Sequence, residues 1–424
     1  MANSFSKEER VSFENILEGF QDALVLSKNV AVYRTDQSMM ERTNNVIWRP
    51  QPYIATSYAG TDMSSNFDDY TQLSVPATIG FSRSVPWVMT ATELRDALQE
   101  GRLGESAKKK LASDINVSVM NVAALQGSLF VKRTAAASGF DDIAECEARM
   151  NEKGVQFEDR KLFLSTRDYN GMASNLATAT RSFGNDISDK ALREAFVGKL
   201  ASFETYKMDY GVRKAAAAGG GSVTMSTLVG GGNFFTPRAT SVASTGETSN
   251  VDNRFQTITT SSYTNVAVGD SFTIGNVFEV HAITKQSTGV LKTFRVIATP
   301  SATTLVITPP IISAQGGTDA ELQYQNCTIP VTSGTAAITW LNTSAGFMNP
   351  FWQKDAIEIL PGRYAVPSDA GAAVMRASTD QGIELVMTKQ FDISTMKTKY
   401  RVDTLWGVVN KQPEMSGIVM FSQP

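Results

Sequence analysis

The stretch AAAAGGGSVTMSTLVGGGNFF, residues 215–235, places two glycine triplets, few large side chains and no charge at the midpoint of a 424-residue chain. Such a composition joins rather than packs, and the sequence changes character across it. From Ala215 to Thr335 charge becomes sparse and Thr, Val, Ile, Ser and Gly dominate. FQTITTSS, DSFTIGNVFEVHAI, LKTFRVIAT and TTLVITPP are short β-branched runs separated by turn residues, the pattern of a small all-β barrel or sandwich. The step Ile274–Gly275–Asn276–Val277 fits a tight hairpin turn, because Gly and Asn tolerate positive φ. The glycine-rich stretch therefore reads as the entry hinge of a β-domain inserted into an α+β domain. SGTAAITWLNTSAGFMNP, residues 333–350, is its expected exit.

Working toward the amino terminus, Ser6–Ser27 reads as a helix. Ser6 and Glu9 form a capping-box pair, and Phe13, Ile16, Leu17, Phe20 and Leu24 make one apolar stripe, with Glu14 and Glu18 off it. The stripe needs either its own core or another subunit to lie against. From Asn44 to Thr90 the chain is extended and rich in Pro, Thr and aromatics around a polar tip, AGTDMSSNFDDY. Pro50, Pro52, Pro76 and Pro86 cannot donate to a ladder, so a two-stranded arm resting on another surface is expected rather than central strands. Thr92–Gly127 is mainly helical, with Leu111, Ile115, Val119, Val122 and Ala123 on one face and Gly127 in the left-handed position after the helix end. Phe140–Gly211 is α+β: a helix at FDDIAECEARMNEKG, a strand at Arg160–Ser165 followed by a turn, and a helix at ISDKALREAFVGKL capped by Ser188. Beyond Trp340, helix and mixed strands return. QGIELVMTKQ, TKYRVDTLWGVVN and SGIVMF are placed to pair with each other or with strands from before the midpoint.

Composition narrows function. Hydrophobic residues make up 42% of the chain, enough for ordinary cores, and 39 Lys+Arg against 42 Asp+Glu give a net charge of −3. That balance argues against a basic footprint spread over the whole chain, though not against weak DNA contact through a local patch. The two cysteines, Cys146 and Cys327, have no metal-type spacing, the amino terminus carries charge where a signal peptide would be apolar, and no run approaches a membrane span. A soluble product made in a reducing cytosol is expected.

Candidate chemistry is thin. The single histidine, His281, lies in the strand-like FEVHAI without a ligand cluster, which favours a structural or surface role. Cys146 sits between Glu145 and Glu147, whose charges disfavour a thiolate. GGGSVTMS lacks the Lys-Ser/Thr ending of a phosphate loop. The adjacent pairs Asp68-Asp69 and Asp141-Asp142 read as solvated faces, and Lys108–Lys110 as a run offset by Glu105 and Asp114. No catalytic residue, cofactor or metal is expected. An enzyme with a lid domain would need a convergent polar site. An adhesin or other surface binding protein with a β-domain would need a secretion signal or fibre repeats.

NNVIWRP (44–50), LQGSLF (125–130), NVDNRF (250–255), GDSFTIGNVF (269–278), TTLVITP (303–309), NPFWQKDAIEIL (349–360), FDIST (391–395) and LWGVVNKQPE (405–414) occur in one order across almost the whole chain. That order resembles a tailed-bacteriophage major capsid protein, more closely the coat proteins of short-tailed temperate enterobacterial phages, whose capsid fold carries an inserted β-domain. The resemblance implies an α+β fold with an N-terminal arm at 1–43, an extended loop at 44–90 and a spine helix with peripheral domain at 91–133. The axial domain falls at 134–221 and 341–390, the inserted β-domain at 222–340 and the last peripheral strands at 391–424. It further implies a structural subunit of an icosahedral shell, assembled in the host cytoplasm as a procapsid around a scaffolding protein. Its implied partners are other copies of itself in hexamers and pentamers, the scaffolding protein, a portal protein and packaged double-stranded DNA held by weak non-specific contact, with no membrane.

On that resemblance the contact candidates are the arm stripe (Phe13, Ile16, Leu17, Phe20, Leu24) and the extended-loop aromatics Trp48, Tyr53, Tyr58, Phe67 and Tyr70. The arm is expected to exchange partners as the scaffold leaves, with Asp at positions 16 and 20 blocking assembly but leaving the monomer folded. Pro237–Phe255 matches the position of a mobile inter-subunit loop in these proteins. It departs from the acidic pattern with Val242, Ala243, Ser244 and Thr245, leaving Arg238, Glu247, Asp252 and Arg254 as its charges. Exposed ion pairs of that kind are worth only ~0–1 kcal/mol each, so shape or hydrogen bonding can take their place.

Overall fold

The computed structural model describes residues 5, 7–34, 45–52, 55, 57, 59–64, 67, 70–90, 93, 97–179, 197–217, 222–225, 234–329, 335–366 and 371–424. The chain divides into two compact units, one of Met1–Ile47, Ala77–Met120 and Glu358–Val409, the other of Trp48–Pro76, Asn121–Ile357 and Asn410–Pro424.

In the first unit, helix α1 (Lys7–Ala23) turns its stripe inward. Phe13, Ile16, Phe20 and Leu24 are buried and Leu17 is half-buried. Helix α2 (Ala97–Gln126) carries Gly104 where any Cβ would lie 2.5 Å from Ile16 Cδ1, so the glycine lets the two helices approach. Asn116 fastens the end of α1: its Nδ2 donates to the Ala23 carbonyl at 2.9 Å and its Oδ1 accepts from the Leu26 amide at 3.3 Å. Glu9 accepts from Lys389 and from the Tyr400 hydroxyl, and Ser6, its expected capping-box partner, lies outside the described residues. The sheet of this unit runs Ala31–Val32, Ile357–Pro361, Lys397–Asn410, Glu384–Asp392, Ala373–Ser378. Trp406 on Lys397–Asn410 donates from its indole to Ser118 Oγ at 2.8 Å, joining sheet to α2.

One expectation changes here. Val46–Pro50 and Ser74–Thr78 do pair as an extended ladder, but Phe81–Thr90 is no part of it. That strand pairs along Lys397–Trp406, from Phe81 opposite Trp406 to Thr90 opposite Lys397. Pro86 is tolerated because this strand pairs on one side alone among the described residues. Ala373–Ser378 pairs with Glu384–Asp392, which hydrogen-bonds in turn to Lys397–Asn410, a pairing expected among the C-terminal strands. Their alternating register fits that neighbour residue for residue, from Leu385 opposite Thr404 to Asp392 opposite Lys397.

Two seven-stranded sheets lie in the second unit. The first runs Leu129–Lys132, Ser416–Met420, Gly346–Gln353, Arg160–Ser165, Phe203–Met208, Lys199–Leu200. The last strand, Ser416–Met420, therefore joins this sheet rather than the other C-terminal strands, running parallel to Leu129–Lys132. Helices α3 (Phe140–Lys153) and α4 (Thr166–Ala179) cover it, burying Ile143, Cys146, Met150, Tyr169 and Met172 against Leu162, Leu164 and Phe351. Helix α4 begins directly after Ser165, where a turn was expected. Asp168 and Ser165 exchange side-chain and backbone bonds at its first turn, a local helix start missed in STRD. The helix expected behind Ser188 lies outside the described residues. Gly127 does end α2, but not in left-handed geometry. A Cβ there would meet the Gly417 amide at 2.9 Å, so the glycine serves the close approach of Ser416–Met420.

The second sheet spans Thr224 to Trp340 in the order Thr224–Met225, Ala336–Trp340, Ser271–Val280, Ser287–Ser301, Thr304–Thr308, Gln256–Thr259. An antiparallel bridge from Met225 to Thr260 joins the first strand to the last and closes the sheet into a barrel. Its interior holds Phe272, Ile274, Phe294, Val296, Leu305, Ile307 and Ile338. The Ile274–Val277 step is not a hairpin turn. Ser271–Val280 is one strand, and its register against Ser287–Ser301 shifts between Thr273 and Phe278. Asn276 takes the expected positive φ of 65°, but as part of a bulge that bends the strand. The entry and exit of this barrel are held together by Asn342. Its carbonyl accepts from the Ala217 amide at 2.8 Å, its Nδ2 bonds Asp270 Oδ1 at 3.0 Å, and its Oδ1 accepts from the Ser271 amide at 3.0 Å.

Candidate subunit-contact surfaces

The Thr240–Val242 and Thr248–Asn250 strands form a hairpin that is exposed along its length, apart from the half-buried residue next to its foot. Its turn is closed by Ala243 N to the Glu247 carbonyl at 2.9 Å, with Gly246 at φ 85° and open space around it. Val242 is 68% exposed, an apolar side chain at the end of a polar hairpin. The four charges singled out from the sequence separate here. Glu247 is on the exposed hairpin and Arg238 is exposed at its base. Asp252 and Arg254 are tied to each other, Nη2 to Oδ2 at 2.7 Å and Nε to Oδ1 at 2.9 Å, and Arg254 Nη1 donates to the Asn410 carbonyl at 2.8 Å. This pair fixes the foot of the hairpin within the chain. Asn253, between them, exchanges bonds with the backbone of Arg238 at 2.8 and 3.0 Å and completes that foot.

On the extended loop, Phe67 is 87% and Tyr70 55% exposed, whereas Trp48 is half-buried. Tyr53 and Tyr58 lie outside the described residues. The arm stripe is a different case, since Phe13, Ile16, Phe20 and Leu24 are covered by the chain's own core. Asp at 16 and 20 would bury two unpaired carboxylates there, so the expectation that such a monomer stays folded does not hold.

A group of charges that sequence reading missed lies between the barrel and the first sheet of its unit. Lys153, at the end of α3, sits 3.1 Å from Glu414 and 3.6 Å from Glu279, and Lys292 also bonds Glu414. Lys153, Glu279 and Lys292 are at most 4% exposed. Burial pushes the Glu414 carboxyl up, but Lys153 and Lys292 outweigh it and hold it at about 2. Two cations thus face two anions without net charge, a pattern that costs more to break than it contributes when whole. Nearby, Arg295 Nη1 donates to the Ala124 carbonyl at 2.9 Å in the last turn of α2, and Lys214 pairs with Asp270 at 2.9 Å. A faint signal for these residues was present in the sequence: Glu279, Lys292 and Arg295 interrupt runs that are otherwise β-branched or aromatic.

The remaining candidates are structural. His281 Nδ1 accepts from the Ile283 and Thr284 amides at 3.3 and 3.2 Å, which shapes a turn. Cys146 and Cys327 are fully buried, and burial pushes both thiols up, that of Cys327 to about 12. Lys110 pairs with Asp114 at 2.6 Å and Lys108 with Glu105 at 3.5 Å. Among the described residues no three His, Cys, Asp or Glu converge as a metal site, and no helix is long and apolar enough to cross a membrane.

Comparison with known proteins gives a match over residues 1–422 to the family described as P22 coat protein, gene protein 5. Among solved structures, the capsid of the cyanophage P-SCSP1u is 10% identical at TM-score 0.44, covering 92% of this chain and 85% of that one. A Mycobacterium phage Che8 chain is 10% identical at TM-score 0.45, covering 92% and 88%. The CUS-3 coat protein I-domain is 38% identical at TM-score 0.22, covering 28% of this chain and 96% of that domain.

Proposed function

As this chain belongs to the P22 coat protein family and is a structural subunit of a bacteriophage capsid, we propose that it assembles with a scaffolding protein into an icosahedral procapsid that encloses double-stranded DNA. The observation that carries the reading is the match of the family across residues 1–422, rather than over one module. Hexamers and pentamers of the chain build the shell, a portal protein occupies the entry for DNA, and assembly takes place in the host cytoplasm. Residues 222–340 act as a domain inserted into the capsid fold, and the Ala217–Asn342 clasp supports this by drawing its two connections together.

Contacts between copies fall on the exposed groups: Phe67 and Tyr70 of the extended loop, and the 240–250 hairpin with Val242, Glu247 and Arg238. Trp48 contributes its uncovered face. The α1 stripe becomes available to a neighbour or scaffold when the helix lifts from its own subunit. Net charge of −3 suits weak, non-specific contact with packaged DNA.

Negative-stain electron microscopy with sedimentation velocity tests this, using the purified chain with its scaffolding protein supplied. Closed shells of uniform size are expected. A chain that stays monomeric with scaffold present would overturn the proposal and favour a non-enzymatic binding role.

A further inference from the structure

The extended ladder is closed at its base by the Ile79 amide to the Asn45 carbonyl, and it ends abruptly at its loop side. Gln51 N donates to the Leu73 carbonyl at 2.9 Å, but the return bond from Leu73 N to Gln51 is not made. Gln72 Nε2 occupies the Gln51 carbonyl at 2.7 Å, and the Leu73 amide donates to the Tyr324 hydroxyl at 3.3 Å. The same hydroxyl donates to the Thr71 carbonyl at 3.1 Å, and Gln323 Oε1 accepts from the Thr71 amide at 3.3 Å. Two neighbouring side chains thus hold three backbone groups on one short piece of the returning strand.

Both side chains stand at the end of helix α5 (Asp319–Tyr324), which is itself pinned at each end. Thr318 accepts from the Glu321 amide, and the Glu321 carboxylate accepts from the Gly316 amide and the Thr236 hydroxyl, both at 2.7 Å. At the other end Lys285 Nζ donates to the Gln323 and Gln325 carbonyls at 2.9 and 3.1 Å. Cys327–Thr328 then pairs with the barrel strand Ser271–Val280, which ties α5 to the barrel. A two-stranded ladder is marginal by itself, so whatever fixes its loop-side end decides its direction.

We infer that Gln323 and Tyr324 are positioning residues that clamp the loop-side end of the extended ladder at Thr71–Leu73, so that the barrel module sets where the loop's outer residues are held. The loop's exposed aromatics Phe67 and Tyr70 lie only a few residues from the clamp. A fixed ladder end therefore aims them at a neighbouring copy before assembly begins. The assembly consequence rests on the shell-subunit reading, whereas the clamp itself does not.

The test uses the full-length monomer with amide hydrogen exchange resolved to single residues. Tyr324→Phe keeps the ring and removes the hydroxyl, so the Leu73 amide is expected to exchange about ten-fold faster, the equivalent of one hydrogen bond. Gln323→Leu keeps the volume and removes the acceptor, so Thr71 is expected to exchange faster while Leu73 keeps its protection. Gln323→Glu, which retains an acceptor, should restore Thr71. Core barrel amides such as Phe272 and Phe294 should not change in any of them. Unchanged Leu73 exchange in Tyr324→Phe, or equal acceleration of loop and barrel in both variants, would overturn the clamp. If Tyr324→Phe fails to fold, the Thr71 readout in Gln323→Leu decides alone. With scaffold supplied, Tyr324→Phe should give particles of mixed size, and uniform particles despite faster Leu73 exchange would overturn the positioning role. Failure of the unmodified chain to assemble would instead count against the shell reading and leave the exchange result standing.

Discussion

Replacing Glu414 by Gln isolates what the buried charges between barrel and first sheet contribute. The carboxyl lies within bonding distance of Lys153 and Lys292, and its pKa falls from an ordinary 4.5 to about 2. At about 1.4 kcal/mol per unit, that shift corresponds to about 3 kcal/mol of stability at pH 7. Glu414→Gln should lose most of it, because Glu279 alone then faces two buried ammonium groups. Burial of the Lys residues in an otherwise intact seam makes the loss fall on the second unit. The folded-state pKa is depressed, so the contribution is fully present above the unfolded value near 4.5. It is lost as pH falls from about 5 to about 2.

Urea unfolding of the monomer, monitored by tryptophan fluorescence, reads the effect as a lower transition midpoint at unchanged slope. The acid limb gives a second readout: stability of the native chain should fall between pH 5 and 2 more steeply than that of Glu414→Gln. Adding Lys292→Met should recover part of the loss, since it removes one of the stranded cations. A loss below about 0.5 kcal/mol, or parallel acid limbs in the two proteins, would refute the claim that these charges form a coupled unit.

Asp substituted for both Ile16 and Phe20 should unfold the first unit outright, with a cost above about 4 kcal/mol, read as loss of the cooperative transition in the monomer. Cys146 and Cys327 should resist a thiol reagent at pH 8 in the native chain and react fully once it is unfolded in urea, as measured by absorbance of the released chromophore.

What the sequence disclosed depended on how local the cause was. The α1 stripe and the apolar face of α2 were legible because helical spacing is written in neighbouring residues, and Leu111, Ile115 and Val119 are buried as that spacing required. The strand Arg160–Ser165 was legible to its ends. Helix α4 was lost because STRD offers a turn and a helix start with the same residues. Asn276 was right in its backbone angle and wrong in its role, since positive φ serves a bulge as well as a hairpin. The fate of Phe81–Thr90 depended on a partner more than 300 residues away in the chain, which no local pattern encodes. The charged seam was nearly hidden for the same reason: Lys292 and Glu414 are 122 residues apart, and only charges that interrupt β-branched runs hint at it. The contact candidates were half legible. Exposed aromatics at a loop tip can be read from polar surroundings, whereas Asp252 and Arg254 look available for a neighbour until their mutual fork and the Asn410 carbonyl are known.

The glycine-rich stretch changes meaning for a physical reason. Its composition promised a hinge, yet Thr224–Met225, between the two triplets, is the strand that links Ala336–Trp340 to Thr260 and closes the barrel. Two residues are too few for a β-branched signal, and the flanking glycines mask even those. The closure is reinforced on both sides, by the Ser261 amide to the Thr224 carbonyl at 2.7 Å and by the Thr224 amide to Ser261 Oγ at 2.9 Å. Without that strand, Ala336–Trp340 and Gln256–Thr259 would both present open edges, two templates for pairing with the wrong partner. The described part of the low-complexity stretch is thus a closing element of the barrel, held by pairing on both of its edges.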